Sequence, residues 1–160
     1  MAKKLFLGSD HAGFKLKEEI KKFLDKQKTE YEDLGVFSDE PSDYPDIAYK
    51  LAEKVAKTNS KGILMCGTGI GESIVANKVK GVRAANCFNE YTAQKSREHN
   101  DSNVLCLGAR VLSADGSKKI IRAWTFYDWA NSVFPLVITS AIFPNFYEYK
   151  TSHDSNGNFI

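Results

Sequence analysis

Short apolar runs alternate along this chain with segments whose apolar residues recur every three or four positions, and the two patterns take turns five times. Leu5-Phe6-Leu7-Gly8 reads as a first strand, and Leu16, Ile20, Phe23 and Leu24 mark one face of a helix after it. Thr29 to Leu34 alternates weakly as a second strand. A loop rich in Ser, Asp, Glu and Pro, running through Asp43-Tyr44-Pro45, leads to a second helix on Ile47, Leu51 and Val55. Gly62 to Cys66, Val82 to Cys87 and Asn103 to Leu107 read as the remaining strands. Ser73 to Lys78, Glu90 to Glu98 and a segment capped at Ser113-Ala114-Asp115, carrying Ile120, Ile121 and Trp124, read as the remaining helices. Five strands alternating with five helices call for an α/β fold whose parallel sheet is covered on both faces. Ligands bind such sheets beyond the carboxyl ends of the strands. Polar residues collect there: Ser9-Asp10-His11 after the first strand, Cys66-Gly67-Thr68 after the third, Gly108-Ala109-Arg110 after the fifth.

The third strand runs into glycines at 67, 69 and 71, and Ser73-Ile74-Val75-Ala76 then begins a helix. Glycines so spaced let consecutive backbone N–H groups turn toward one point, which makes an anion hole where a helix starts. The spacing alone is a weak signal, since tight turns use glycine for purely structural reasons. Its neighbours strengthen it. A thiol, a hydroxyl and a carboxylate (Cys66, Thr68, Glu72) flank the same point and could move protons beside a developing negative charge.

At 160 residues, 42% apolar and 26% charged, the composition is that of an ordinary globular domain. A formal charge of +2 gives no electrostatic reason to expect nucleic acid, and the lysines at 15, 17, 21, 22, 26 and 28 interleave with Glu18, Glu19 and Asp25 as on a solvated helix face. Three cysteines without a C-x-x-C spacing argue against a disulfide framework or zinc site and for a reducing, cytoplasmic setting. The N-terminus is too short in its apolar part for a secretory signal.

Several segments together are specific enough to carry a family resemblance: Gly8-Ser9-Asp10-His11-Ala12-Gly13, Asp43-Tyr44-Pro45, Cys66-Gly67-Thr68-Gly69-Ile70-Gly71, Ala76-Asn77-Lys78, Gly81-Val82-Arg83-Ala84 and Arg97-Glu98-His99-Asn100-Asp101-Ser102-Asn103-Val104-Leu105. From about Lys3 to Trp124 the chain resembles the type B ribose-5-phosphate isomerases, a family that includes the galactose-6-phosphate isomerase subunits. The resemblance implies a Rossmann-like three-layer α/β/α sandwich with a five-stranded parallel sheet. It also implies a homodimer or dimer of dimers with shared active sites, a sugar-phosphate substrate, no metal or organic cofactor, and aldose–ketose isomerisation through a cis-enediolate. Position by position, it implies that Asp10 and His11 bind sugar hydroxyls and the ring oxygen, that Tyr44 stacks on the ring, and that His99 opens the furanose. Thr68 with Gly67 and the amides of Gly69, Ile70 and Gly71 would hold the enediolate, Asn100 would orient hydroxyls, and Arg110 would reach the phosphate.

One branch of the family uses a cysteine at position 66 as the base and another a glutamate aligned with Glu72. This chain has both, and its Cys-Gly-Thr-Gly favours Cys66. Plainer readings stand beside these. Asp10-His11 could cap the first helix, Cys66 could be a core cysteine, Glu72 could complement a helix dipole, and Arg110 could pair with a carboxylate. Asn77, Arg83 and Arg97 read as structural.

After Trp124 the family pattern of a Gly-Gly-Arg-His loop is missing, and no arginine follows Arg122. The nineteen residues from Trp129 to Tyr147 carry no charge, and Lys118 through Tyr147 resembles the first transmembrane region of a major-facilitator-type transporter. The chain is therefore expected to divide into an isomerase domain, 1–124, and an atypical apolar C-terminal extension, 125–160, helical in part. That extension could pack as a helix, remain unstructured or touch a membrane. A non-catalytic sugar-phosphate-binding protein or partner subunit is the alternative function, motivated by the missing arginines.

Overall fold

The computed structural model describes the backbone of residues 4–137 and the side chains of residues 4–125. Strands β1 (Leu5–Ser9), β2 (Tyr31–Asp33), β3 (Lys61–Cys66), β4 (Ala84–Asn86) and β5 (Val104–Gly108) alternate with helices α1 (Phe14–Lys26), α2 (Tyr44–Thr58), α3 (Ile70–Ala76), α4 (Glu90–Glu98) and α5 (Ala114–Val137). All strand pairs are parallel and the order is β2-β1-β3-β5-β4. The sheet has a core on each face. Leu7, Ile63, Met65, Leu105 and Leu107 point to one side and pack with Leu16, Ile20 and Phe23 of α1, Ala93 of α4, and Ile120, Ile121 and Trp124 of α5. Phe6, Leu64, Val104 and Cys106 point to the other and pack with Ala48, Leu51, Ala52 and Val55 of α2 and Ala76 of α3. Alternate residues of one strand thus serve opposite layers, which makes the fold a three-layer α/β/α sandwich of Rossmann-like type.

Two expected strands are shorter than their apolar runs. Lys28 adopts φ +56°, and Thr29 N–H returns to Leu24 C=O at 3.0 Å while Lys28 N–H reaches Asp25 C=O at 3.0 Å. This Schellman closure of α1 uses up the residues expected to begin the second strand. Val82 N–H closes a turn onto Val79 C=O, so β4 begins only at Ala84. Helix α3 starts earlier than expected, at Ile70, directly after the last turn of the glycine loop.

Lys17 departs from the solvated face expected of α1. It is fully buried, donates to Asp33 Oδ1 at 2.6 Å and to the Val36 carbonyl at 2.5 Å, and lies near the rings of Phe14 and Phe37. The sequence periodicity counts Lys17 as polar, but the carboxylate that neutralises it sits on β2 and is invisible to a helical pattern.

The chain divides into one compact unit over residues 1–124 and a second over 125–160. Of the apolar extension only the part within α5, to Val137, lies among the described residues. The expected uncharged stretch runs on to Tyr147, so its membrane-like and transporter-like readings lie largely outside them. Among the described residues no helix is long and apolar enough to cross a membrane.

Candidate active site

The chain leaves β1 and β3 at the same end of two neighbouring strands, then turns to opposite sides of the sheet, so the loops part above the β1–β3 boundary. Such a crevice is the usual ligand position in an open parallel sheet. Asp10 and His11 come from the first loop, Cys66 through Gly71 from the second, and Arg110 follows β5 next door.

Close backbone approaches hold these loops together. At Gly13 a Cβ would sit 1.7 Å from the Met65 carbonyl oxygen, so only glycine lets the start of α1 lie against the end of β3. Asp10 Oδ1 accepts from Gly13 N–H at 2.8 Å and fixes the turn between β1 and α1. Ala109 N–H donates to Cys66 C=O at 2.7 Å and Arg110 N–H to Gly67 C=O at 2.9 Å, which brings the segment after β5 onto the glycine loop. Arg110 is exposed, and its side chain lies about van der Waals distance from Gly67, 3.5 Å from where a Cβ would be. Tyr44 enters from α2; its ring lies over Gly71, where a Cβ would meet it at 2.8 Å.

The three loop glycines therefore have different reasons. Gly69 alone takes a positive φ, +79°, and makes the turn, whereas Gly67 and Gly71 admit the Arg110 and Tyr44 side chains. The loop amides are also more committed than an open anion hole. Gly69 N–H donates to Cys66 Sγ at 3.1 Å, and Ile70 N–H to Thr68 Oγ1 at 3.3 Å. The first stabilises a thiolate; the second orients an exposed hydroxyl whose own proton remains to be donated.

Burial pushes the Cys66 thiol up, and the charge of Glu72 pushes it further, while the amides of Thr68, Gly69 and Glu72 pull it back. Glu72, in the first turn of α3, is fully buried, and neither carboxyl oxygen meets a hydrogen-bond donor at good geometry. Burial raises its carboxyl well above the usual range, the Asp10 charge adds to this, and the nearby Cys66 thiol and Asp10 amide oppose it weakly. Glu72 is thus a first-turn acid, as a complement to the helix dipole requires, but a buried one. Asp10, Cys66 and Glu72 form one cluster. Cys66, Cys87 and Cys106 are all free and buried, and among the described residues no group of three or more His, Cys, Asp or Glu converges as a metal site would.

His11 is half-buried, with its backbone N–H on Ser42 Oγ at 3.0 Å and its Nδ1 beside Ser42 C=O at 3.1 Å and Ser42 N at 3.2 Å. It ties the loop after β1 to the one leading into Tyr44. Ser42 was not singled out by the sequence, and neither was Asn86. The latter ends β4, donates Nδ2 to Thr68 C=O at 3.3 Å and packs against Gly69. A polar residue at the carboxyl end of an otherwise apolar strand was the available signal. Asn77 bridges Ser73, Ala84 N–H and Ala84 C=O, and Arg97 bonds Asp101 and the Ser102 carbonyl, as expected for structural residues.

His99 and Asn100 are not brought to this cluster. They follow α4, which runs antiparallel to the strands and delivers them to the amino-terminal end of β5, the opposite end of the sheet from Cys66. Both are exposed, and Asn100 C=O receives the Arg83 side chain.

The profile of the Ribose/Galactose Isomerase family matches residues 5–133. The chain belongs to this family. The match runs past Trp124, where the motifs read from the sequence stop. Ribose-5-phosphate isomerase B of Escherichia coli is 48% identical over 123 residues, which covers 76% of this chain and 83% of that protein. The solved structure of ribose-5-phosphate isomerase B from Clostridium thermocellum is 50% identical, with a TM-score of 0.75 over 76% of this chain and 83% of that one. The Mycoplasma genitalium ribose-5-phosphate isomerase B, solved with bound ribulose 5-phosphate, is 41% identical, with a TM-score of 0.75 over 78% and 84%. Family membership and the sandwich agree with what the motifs implied.

Proposed function

We propose that this chain interconverts ribose 5-phosphate and ribulose 5-phosphate through a cis-enediolate, with Cys66 as the base. The observation that carries the reading is the Cys66 sulfur, held by the Gly69 amide at the end of a central strand, in the same loop as the exposed Thr68 and as Gly67, against which Arg110 lies. Cys66 keeps a trace of exposure, 5%, whereas Glu72 has none and lies behind it. That difference favours Cys66 over Glu72 as the group that meets substrate.

The thiolate takes the proton from the carbon beside the carbonyl, and the electron pair moves onto the carbonyl oxygen. That proton returns to the former carbonyl carbon, while the proton of the neighbouring hydroxyl passes to the oxyanion, so that the old carbonyl becomes an alcohol and the neighbouring carbon becomes the carbonyl. Donors fixed toward the developing oxyanion are worth about 3–4 kcal/mol each, and the Thr68 hydroxyl is such a donor. Arg110 beside Gly67 is placed for the phosphate; among the described residues it has no carboxylate partner, which disfavours the ion-pair reading. Tyr44 over Gly71, with Asp10 and His11 across the crevice, borders the sugar.

Ring opening by His99 and hydroxyl contacts by Asn100 require a second copy of the chain, since five residues of β5, about 16 Å of strand, separate them from Cys66 in one copy. Ile70, Ile74, Phe88, Tyr91 and Val111 are exposed apolar residues on or near the loops at the carboxyl end of the sheet, and a partner would cover them. The active unit is then a homodimer with shared sites.

The test is formation of ribulose 5-phosphate by the purified full chain and by Cys66→Ala. Turnover by the former and a loss of at least about 100-fold in the latter supports the reading. A folded chain without turnover, or an equally active Cys66→Ala, refutes it. Saturable binding of an unreactive phosphorylated sugar acid without turnover would identify a binding protein instead.

A further inference from the structure

The glutamate behind Cys66 has no obvious place in that chemistry. Glu72 has zero exposure, and both carboxyl oxygens lack a hydrogen-bond partner. An ionised carboxylate in that position has lost its water and has only the poorly aligned Cys66 thiol and Asp10 amide to offset the loss, a penalty that proteins avoid by keeping the proton. The titratable groups facing it are all acids: Asp10 from the end of β1, Cys66 from the end of β3 and Cys106 from β5. The side of α3 packed toward α2 meets the neutral Tyr44, and the end of β4 offers the neutral Asn86. No cation among the described residues is recorded beside it. Cys66 differs in kind, because its sulfur receives a backbone amide.

We propose that Glu72 is held as a neutral carboxylic acid, so that Cys66 is the member of the pair that carries negative charge when the site acts as a base. The consequence for catalysis rests on the isomerase reading; the charge state does not. When the thiolate forms, it faces an uncharged carboxyl, and the enediolate that follows forms beside a neutral thiol and a neutral acid. Burial of Glu72 thereby limits the negative charge of the cluster. The raised carboxyl agrees with this placement.

The test reads ionisation through folding. In the unfolded chain a glutamate ionises near its ordinary value, so above that pH the native state binds one more proton than the unfolded state. Stability then falls as pH rises toward the native value, about tenfold in the folding constant per pH unit for one such group. Glu72→Gln removes that dependence. Urea unfolding of the full-length wild type and Glu72→Gln at equal concentration, from pH 5 to pH 8, should give a ratio of folding constants, variant over wild type, that climbs with pH and approaches about tenfold per unit. A ratio that stays flat means Glu72 ionises in the native protein as in the unfolded one, and overturns the proposal. A merely structural role for the side chain would shift both curves by a constant and leave the ratio flat.

If Glu72→Gln does not fold, infrared difference spectra of the wild type with glutamate carboxyl carbons labelled decide the matter. A protonated carboxyl C=O band at pH 7 is expected, and its absence refutes neutral Glu72. Ribose 5-phosphate turnover measured on the same wild-type samples keeps the two readings apart. Without turnover the isomerase assignment fails, while the folding ratio or the infrared band still reports the charge of Glu72.

Discussion

Gly13→Ala is predicted to damage the active site from a position that carries no chemistry. The new Cβ would lie 1.7 Å from the Met65 carbonyl oxygen, 2.3 Å from its carbon and 3.0 Å from Cys66 N, all of them backbone atoms. A side-chain neighbour could rotate away, but β3 is paired on both sides with β1 and β5 and cannot. The contact must open from 1.7 Å to at least 3.0 Å, so either α1 lifts or the end of β3 shifts by about an ångström. Overpacking of this kind costs about 1–3 kcal/mol of stability. Movement also separates Asp10, tied to Gly13 N–H, from Cys66, which follows Met65. A displacement of about 1 Å at a reacting centre can cost about 100-fold in rate. Urea unfolding and kcat/KM for ribose 5-phosphate should therefore fall together. A variant that keeps both wild-type stability and wild-type rate would refute the claim that this glycine seats the two loops.

Arg110→Met should raise KM for ribose 5-phosphate about 10- to 100-fold, the worth of a charged hydrogen bond or two, and an unchanged KM would remove Arg110 from the phosphate. Lys17→Met should cost up to about 3 kcal/mol at neutral pH, because Asp33 loses its buried partner, although Lys21 remains 3.0 Å away. Burial raises the Asp33 carboxyl, but bonds from Lys17, Gly35 N–H and Lys21 outweigh it and hold the group below its ordinary value. A carboxylate lowered in the native state adds stability above its unfolded value and loses it as pH falls through the native one. The gap between wild type and Lys17→Met in urea unfolding should accordingly narrow below about pH 4, and a gap independent of pH would contradict the pairing.

The hydrophobic periods identify the layers well, since Leu16, Ile20, Phe23 and Leu24 all reach the core and β1 and β5 are buried from end to end. Placement of Asp10, Cys66 and Arg110 at one end followed from strand direction alone. Less legible were features that depend on contacts between distant segments. Lys17 looks like its solvated neighbours until Asp33 is beside it, Gly13 looks like any loop glycine until Met65 lies against it, and Glu72 looks like an ordinary first-turn acid until the sheet covers it. His99 and Asn100 carry the family motif in sequence, yet helix direction takes them to the far end of the sheet. No periodicity within one chain can reveal which residues serve a neighbour's site.

The proposed sharing of the site between two copies gives the most direct measurement. Cys66→Ala and His99→Asn, each inactive alone, should regain ribose 5-phosphate isomerisation when unfolded together and refolded as a mixture. In a two-fold dimer half the pairs are mixed, and each mixed pair has one intact site, so about a quarter of the sites should work. Recovery near that level supports a catalytic site built on Cys66 of one copy and His99 of the other. Mixed dimers that form and stay inactive, beside an active wild type, would contradict it.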